Sequence, residues 1–277
     1  MDWDGASYDR VSSPQAQWGQ VVLGRLELEG DETVLDAGCG TGRVTQELLA
    51  RLPRGHVIAM DRSPSMLAQA RERLGTGDAG GTGGTGGAGD AGGAGGTGGT
   101  GEAAGQARRL SYLEADLLDL SPTKLGGLAP LDAVFSTATF HWVTDHEALF
   151  SNIRSVLRPG GQLVAQCGGE GNITRVVEAV RSLGVERAGT WLYASPEQTA
   201  RRLQEAGFEV VAVWSHPELV GFEDEDALVE FLSTVCLREH LASVPPPGRP
   251  AFSRKVAQAM AEPVIDYVRL NIVARAS

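Results

Sequence analysis

The sequence predicts an α/β fold built on a mostly parallel sheet, and three observations support this. Short apolar runs alternate with helical patterns through residue 165. A glycine-rich turn separates the first run, which ends at Asp36, from the helical pattern that begins at Arg43. Near the end of the chain, residues 208–214 and 267–274 are strand-like and are expected to pair as an antiparallel hairpin. We therefore expect one domain over residues 1–277.

The turn after Asp36 predicts a ligand-binding site at a helix N-terminus. Glycines at Gly38, Gly40 and Gly42 let the backbone approach a ligand that a Cβ atom would block. A dinucleotide fingerprint has its third glycine three residues after the second, and that position is Arg43 here. The tighter turn suits a ligand with an amino-acid end, whose carboxylate and ammonium would contact backbone amides and Asp36.

Asp61 ends the second apolar run, Val57–Asp61, and predicts a contact to a ribose. An acid at the tip of the neighbouring strand can accept hydrogen bonds from both ribose hydroxyls. Ser63 and Pro64 follow as the predicted cap and first residue of a helix. Met66 falls on the first turn of that helix, where its thioether either lies against a base or fills the core.

Taken together, five segments resemble, in order and spacing, the motifs of class I S-adenosylmethionine (SAM)-dependent methyltransferases. They are Val34–Gly42, Val57–Asp61, Leu110–Asp116, Leu131–Thr137 and Leu157–Ala165. The resemblance implies a Rossmann-like sheet of seven strands in the order 3-2-1-4-5-7-6, a helical lid, and SAM as cofactor.

This resemblance also implies which residues bind the cofactor, with Asp116 holding the adenine amino group. Cys39 is included through its place in the turn, where a small buried side chain suffices, and not as a nucleophile. The expected cofactor-binding residues are Asp36, Gly38, Cys39, Gly40, Asp61, Arg62, Met66, Asp116, Leu117 and Thr137.

The segment after the fourth strand is expected to contact the methyl acceptor, because ligands of open α/β sheets lie at the carboxyl ends of the strands. Phe140, His141 and Trp142 would face the transferring methyl group. Tyr8 and Trp18, in a helical cap over residues 1–30, are further candidates to line the site, with packing as the alternative.

Phe140–Trp142 and the following Asp145 and His146 resemble, more narrowly, the branch of trans-aconitate and malonyl-carrier-protein methyltransferases. Those enzymes methylate carboxylates, which are ionised at neutral pH and need no general base. His141 departs from the pattern of that branch and is our one catalytic candidate. A phenol or amine acceptor would use it as the base.

Three functions therefore stay open at this stage. The first is methyl transfer to a small molecule, with O-methylation of a carboxylate favoured over transfer to a phenol or amine. The second is methylation of a peptide or of a carrier-bound acyl group. The third is a SAM-binding protein that transfers no methyl group.

Composition excludes some partners and suggests a compartment. A net charge of −11 and the absence of a dense Lys/Arg cluster disfavour nucleic acid as substrate. Three widely spaced cysteines suit a reducing compartment. No leader pattern and no apolar run long enough for a bilayer are visible, so we expect a cytoplasmic protein without membrane contact. The oligomeric state stays open.

Two segments are expected to depart from the compact core. Within residues 75–105, seventeen of 31 residues are glycine, and most of the others are Thr, Ala and Asp. Burial of the few apolar groups in this segment cannot offset the entropy lost when its backbone is ordered. We expect a flexible insertion there. Residues 215–265 are expected to form a helical lid, interrupted by three consecutive prolines at 245–247.

Overall fold

A computed structural model describes residues 13–75, 109–185 and 189–277 of the chain. Its seven strands form one sheet in the order β3-β2-β1-β4-β5-β7-β6, which confirms the predicted topology. Strands β1 to β5 are parallel to one another, while β7 is antiparallel to both β5 and β6. Tyr8 and nearly all of the glycine-rich segment lie outside the described residues.

The strands are β1 (Thr33–Ala37), β2 (His56–Asp61), β3 (Leu110–Glu114), β4 (Leu131–Thr137), β5 (Leu157–Gly168), β6 (Phe208–Gly221) and β7 (Val264–Ala276). The α-helices are α1 (Ser13–Leu23), α2 (Arg43–Arg51), α3 (Pro64–Leu74), α4 (His146–Val156), α5 (Thr174–Ser182), α6 (Pro196–Glu205), α7 (Glu225–Phe231), α8 (Arg238–Ala242) and α9 (Arg249–Ala259). A π-helical turn, Leu232–Cys236, follows α7, and a 3-10 turn, Phe140–Trp142, follows β4.

Side-chain caps fix the starts of the helices that flank the sheet. The Ser63 hydroxyl accepts from the Met66 N–H at the start of α3, as the Ser-Pro pair predicts. Ser195 and Gln198 form a reciprocal capping box at the start of α6. The cap of α2 is instead Gly42 in the left-handed conformation, so the glycine turn itself starts that helix.

The closing hairpin is longer than the sequence indicated. Pairing of β6 with β7 runs from Phe208 opposite Ala276 to Gly221 opposite Val264. The pattern continues because Ile265 and Tyr267 bury their side chains against the lid helices. Helices of the predicted lid at 215–265 are consequently confined to 225–259. Helix α1 ends at Leu23, whereas the predicted helical cap extended to residue 30. Gly24 follows Leu23 and favours the end of the helix there.

The buried apolar residues form cores between the sheet and its flanking helices, and a separate core among the lid helices. Phe135, Leu35 and Phe150 are fully buried among the sheet and its flanking helices. A further core joins α5, α7, α9 and the extended end of the β6–β7 hairpin, with Phe231 and Val256 at its centre. No helix in the described ranges is long and apolar enough to span a bilayer.

Candidate active site

A cleft lies at the carboxyl ends of β1, β2 and β4, where the topology predicts a ligand. It holds about 740 Å³ of unfilled space, part of it open to solvent. The described residues that line the cleft are Gly38, Gly40, Met60, Asp61, Arg62, Met66, Ala115, Asp116, Leu117, Thr137, Ala138, Thr139, Trp142 and Val143.

The glycine turn forms one wall of this cleft. The N–H groups of Gly38 and Cys39 both donate to the Met60 carbonyl, which ties the turn to the end of β2. Gly38 has a φ of +83°, and a Cβ there would fall 2.1 Å from Thr139 Oγ1. At Gly40, with a φ of +56°, a Cβ would project into open space. The backbone is thus left bare where a ligand would contact it.

Asp61 lies at the far side of the turn and lines the cleft. Its Oδ2 accepts from the Gly40 N–H at 3.0 Å, and its Oδ1 accepts from the Ser63 N–H at 2.9 Å. Burial raises the pKa of this carboxyl, although both hydrogen bonds oppose the rise. The backbone of Arg62 adds a further hydrogen bond to this carboxyl group, which still has lone-pair capacity for a ligand donor.

Asp116 also lines the cleft and lies beside Arg62. Asp116 Oδ1 caps the short turn that follows β3 by accepting from the Leu118 N–H. Its Oδ2 lies 3.8 Å from Arg62 Nη1, and both side chains are partly exposed. Met66 and Leu117 are buried beside them and supply apolar surface for a flat base.

Two of the expected cofactor-binding residues, Asp36 and Cys39, are not among the described residues that line the cleft. Asp36 is 2% exposed, and its Oδ2 accepts from the Thr45 hydroxyl at 2.6 Å. Burial raises the pKa of Asp36 to about 7, with a contribution from the charge of Asp61. Cys39 is buried as well, and its thiol pKa is raised by the same cause, so it is a poor nucleophile.

A second pocket adjoins the cleft and shares Ala138 and Trp142 with it. Ala138 has a φ of +56°, which is uncommon for a residue with a side chain, and such outliers concentrate at functional sites. The pocket holds about 490 Å³ of unfilled space, part of it open to solvent. A ligand there would lie beside a ligand in the cleft, so we name it the acceptor pocket.

Four aromatic side chains that line the acceptor pocket pack against one another in a closed circuit. His141 lies 5.0 Å from Trp142 and 5.8 Å from Tyr193, measured between ring centroids. Trp191 completes the circuit at 5.6 Å from Tyr193 and 6.0 Å from Trp142. We call Trp142, His141, Tyr193 and Trp191 the aromatic quartet. Gly189 makes room for it, because a Cβ there would overlap the Trp191 ring.

Arg269, on β7, brings a positive charge to the same pocket. Its side chain is 3% exposed, its Nε donates to Gln166 Oε1 at 3.1 Å, and its guanidinium lies 4.3 Å from the Trp18 ring centroid. Gln166 in turn donates to Asn271, which also accepts from Arg25. This network fixes the orientation of a guanidinium whose fork geometry matches a carboxylate.

His141 is held as a neutral ring. Its Nδ1 accepts from the Gly168 N–H at 3.3 Å, which leaves the proton of the neutral ring on Nε2. Burial, followed by the nearby charge of Arg269, lowers the pKa of His141 to about 3. The nitrogen with a lone pair is therefore already occupied, so the ring is poorly suited to accept a proton from an acceptor.

The cleft brings together eight of the ten residues that the sequence predicted for the cofactor, and the acceptor pocket brings together fewer of those predicted for the acceptor. Of the expected acceptor residues, His141 and Trp142 line the acceptor pocket. Phe140 is instead 1% exposed and packs edge-on against Phe150 in the core. Trp18 lies behind the pocket, against Tyr267 and Arg269.

Sequence reasoning missed most of the acceptor pocket. The residues that it did not name are Ala138, Asn172, Ile173, Trp191, Tyr193, Val235, Cys236, Tyr267 and Arg269. A partial signal was available on the last strand. Alternate positions along this strand place four side chains on one face: Ile265, Tyr267, Arg269 and Asn271. An arginine is unexpected there, because the other three side chains are apolar, aromatic or an amide.

Comparisons with known proteins agree with this geometry. The family model described as "Methyltransferase domain" matches residues 15–213, and the chain belongs to that family. A trans-aconitate 2-methyltransferase from Acidovorax sp. strain JS42 is 27% identical, with 94% of this chain and 90% of that protein covered. Other trans-aconitate 2-methyltransferases match at 24–27% identity.

Solved structures support the fold. A geranyl diphosphate C-methyltransferase from Streptomyces coelicolor A3(2) superposes with a TM-score of 0.51 at 16% identity, covering 97% of this chain and 80% of that one. The [4+2]-cyclase SpnF superposes with a TM-score of 0.56 at 18% identity, covering 94% and 80%. Proteins with different activities thus share this fold, and the acceptor pocket has to decide the reaction.

The chain is a SAM-dependent methyltransferase of class I, related by sequence to the trans-aconitate 2-methyltransferases. The residues of the cleft fit the cofactor. Gly40 leaves open space at a wall of backbone, Asp61 presents acceptors suited to ribose hydroxyls, and Met66 with Leu117 provides apolar surface for the base. No group of side chains within the described ranges could hold a metal ion.

Proposed function

We propose that the protein transfers a methyl group to a carboxylate of a small organic acid. The observation that favours this acceptor is Arg269, a buried cation in the pocket that adjoins the cofactor cleft. An arginine in a poorly solvated pocket binds a carboxylate through charge-assisted and often bidentate hydrogen bonds. The related trans-aconitate 2-methyltransferases are named for an acid that carries carboxylates, which agrees with this choice.

The protonation state of His141 also favours a carboxylate over a phenol or an amine. A carboxylate is ionised at neutral pH and needs no base, whereas a phenol or ammonium must lose a proton. With its pKa lowered to about 3 and its Nδ1 engaged by Gly168, His141 supplies no such base. We propose that His141 positions the acceptor within the aromatic quartet.

The transfer requires little chemistry from the protein. SAM, when bound, supplies a methyl group whose carbon–sulfur bond breaks with the electron pair left on sulfur, while a carboxylate oxygen forms the new carbon–oxygen bond and no proton moves. The side chains align the acceptor and exclude water. Arg269 holds the anion, and the rings of the quartet keep the pocket apolar around it.

A methyl-transfer screen with radiolabelled SAM over acids, phenols and amines tests the proposal. We expect label in products that mild alkali cleaves, as it does methyl esters. Arg269→Gln should raise KM for the acid at least tenfold, because a hydrogen bond to a charged group contributes about 1.5–3 kcal/mol. Arg275→Gln, on the same strand but paired with Glu27 at the surface, is the matched control.

Arg269→Lys addresses the possibility that the glutamine variant folds poorly. Lysine keeps the charge but loses the planar fork, so an intermediate KM with unchanged SAM affinity is expected. Label that appears only in alkali-stable products, or acid kinetics that do not change in Arg269→Gln while the variant still binds SAM, would contradict the proposal.

A further inference from the structure

We infer that the preferred acceptor is an aromatic or conjugated acid with a single carboxylate, and not a tricarboxylate such as trans-aconitate. The inference rests on the proposed carboxylate methylation and specifies the substrate class of the same pocket. It depends on the one cationic side chain that the described residues place there and on the rings that surround it.

The charge in the acceptor pocket matches one carboxylate. Arg269 is the one Lys or Arg among the described residues that line the pocket, and His141 is held neutral. Asn172 adds a side-chain amide, but this group is neutral and is already hydrogen-bonded to the Tyr193 hydroxyl. A second carboxylate would be desolvated without a cation from the described residues beside it, which is costly in a poorly hydrated pocket.

The shape and chemistry of the walls match an unsaturated, flat carbon skeleton. The aromatic quartet encloses one side, and Ile173 and Val235 add aliphatic surface. Rings at centroid separations of 5.0–6.0 Å form faces and edges against which another π-system packs in offset or edge-on contact. Such packing favours a conjugated acid over a saturated, highly charged one.

A pocket lined by aromatic rings can also bind a cationic acceptor, but the positive charge of Arg269 disfavours one here. Quaternary ammonium groups bind to rings through the negative faces of the π-systems. In this pocket a guanidinium is already present, and its charge contributes to the lowered pKa of His141. A cationic acceptor would therefore meet repulsion from Arg269, whereas an acid anion is attracted.

Calorimetry on the protein saturated with S-adenosylhomocysteine tests the inference through binding alone. The matched probes are trans-cinnamate and 4-carboxycinnamate, which differ by one carboxylate on the same skeleton, together with trans-aconitate. We expect cinnamate to bind at least tenfold more tightly than either polyanion. Methyl-ester formation from the same three acids should follow the same order.

A variant makes the charge requirement explicit. Val235→Lys adds a second cation to the wall, and its preference between cinnamate and 4-carboxycinnamate should shift at least tenfold toward the diacid. Val211→Lys, an exposed position on β6, is the control and should not change the preference. Melting temperatures of both variants confirm that they fold.

The outcomes separate the preference for a monocarboxylate from the proposed methylation of carboxylates. Equal or tighter binding of trans-aconitate or 4-carboxycinnamate overturns the monocarboxylate inference and leaves carboxylate methylation standing. No binding of any of the three acids, with label transferred only to phenols or amines or to nothing in the screen, overturns the proposed function itself. An unchanged preference in a folded Val235→Lys variant also contradicts the inference.

Discussion

Replacing Asp36 with asparagine tests whether this acid serves the fold or the cofactor. The carboxyl group is buried, hydrogen-bonded to Thr45, and absent from the described lining of the cleft. Its pKa is raised from 3.8 to about 7, chiefly by desolvation. Because the folded state holds the proton more tightly than the unfolded chain does, this group favours folding fully below about pH 4, and that contribution is lost as pH rises through 7.

The magnitude follows from the size of that rise. A rise of roughly three pH units at about 1.36 kcal/mol each gives a contribution of about 4 kcal/mol that is lost between pH 4 and pH 7. Asparagine resembles the protonated acid and can still accept from the Thr45 hydroxyl. At pH 8 we therefore expect the free energy of unfolding of Asp36→Asn to exceed that of the native protein by up to about 4 kcal/mol.

Urea unfolding followed by tryptophan fluorescence, repeated across this pH range, measures the effect. The difference between the two proteins isolates Asp36, since other titrating groups are common to both. Asp119→Asn, at an exposed position, is the control. A difference that does not change with pH would refute the reasoning. A large loss of SAM affinity in Asp36→Asn would instead restore the role in cofactor binding that the sequence suggested.

Three further expectations concern the site and the insertion. Asp61→Ala should weaken SAM binding at least tenfold by calorimetry, because an acceptor for two ribose hydroxyls is lost; unchanged affinity would reject that role. His141→Ala should slow transfer without altering the pH–rate profile between pH 5 and 8, since its pKa of about 3 lies below that range; loss of a low-pH limb would identify a base. Shortening residues 76–104 should preserve melting temperature and SAM affinity, because the segment has few apolar groups; loss of either would show that it packs.

The cofactor side of the site was predictable because its signals are local. The carboxyl ends of parallel strands meet at one edge, so acids that end apolar runs had to meet the glycine turn. Asp61 and Asp116 accordingly line the cleft together with Gly38 and Gly40. Asp36 differs because its side chain points into the sheet-to-helix packing, where Thr45 meets it.

The acceptor side was not predictable because it depends on pairing between distant segments. Arg269 reaches the pocket because β7 pairs antiparallel with β5, which sets it opposite Gly168. A Cβ at Gly168 would clash with Tyr193 and Asn172, so this glycine makes room for both. Tyr193 belongs to a loop whose backbone is tied to the His141 carbonyl through Leu192. The alternation along β7 marks the face on which Arg269 lies, but it does not encode which segments that face meets.

The two pockets differ in charge in a way that suits the proposed reaction. Among the described residues that line the cleft, Asp61 and Asp116 outweigh Arg62, so the cofactor side carries net negative charge. Arg269 gives the acceptor side positive charge, and Ala138 and Trp142 lie between the two sides. A cationic donor and an anionic acceptor are each attracted to the appropriate side, and transfer cancels both charges. Charge cancellation is favoured where water is absent, so the apolar walls of the quartet should assist the reaction as well as select the acceptor. A polar, hydrated pocket would bind the same acid but would lose that advantage.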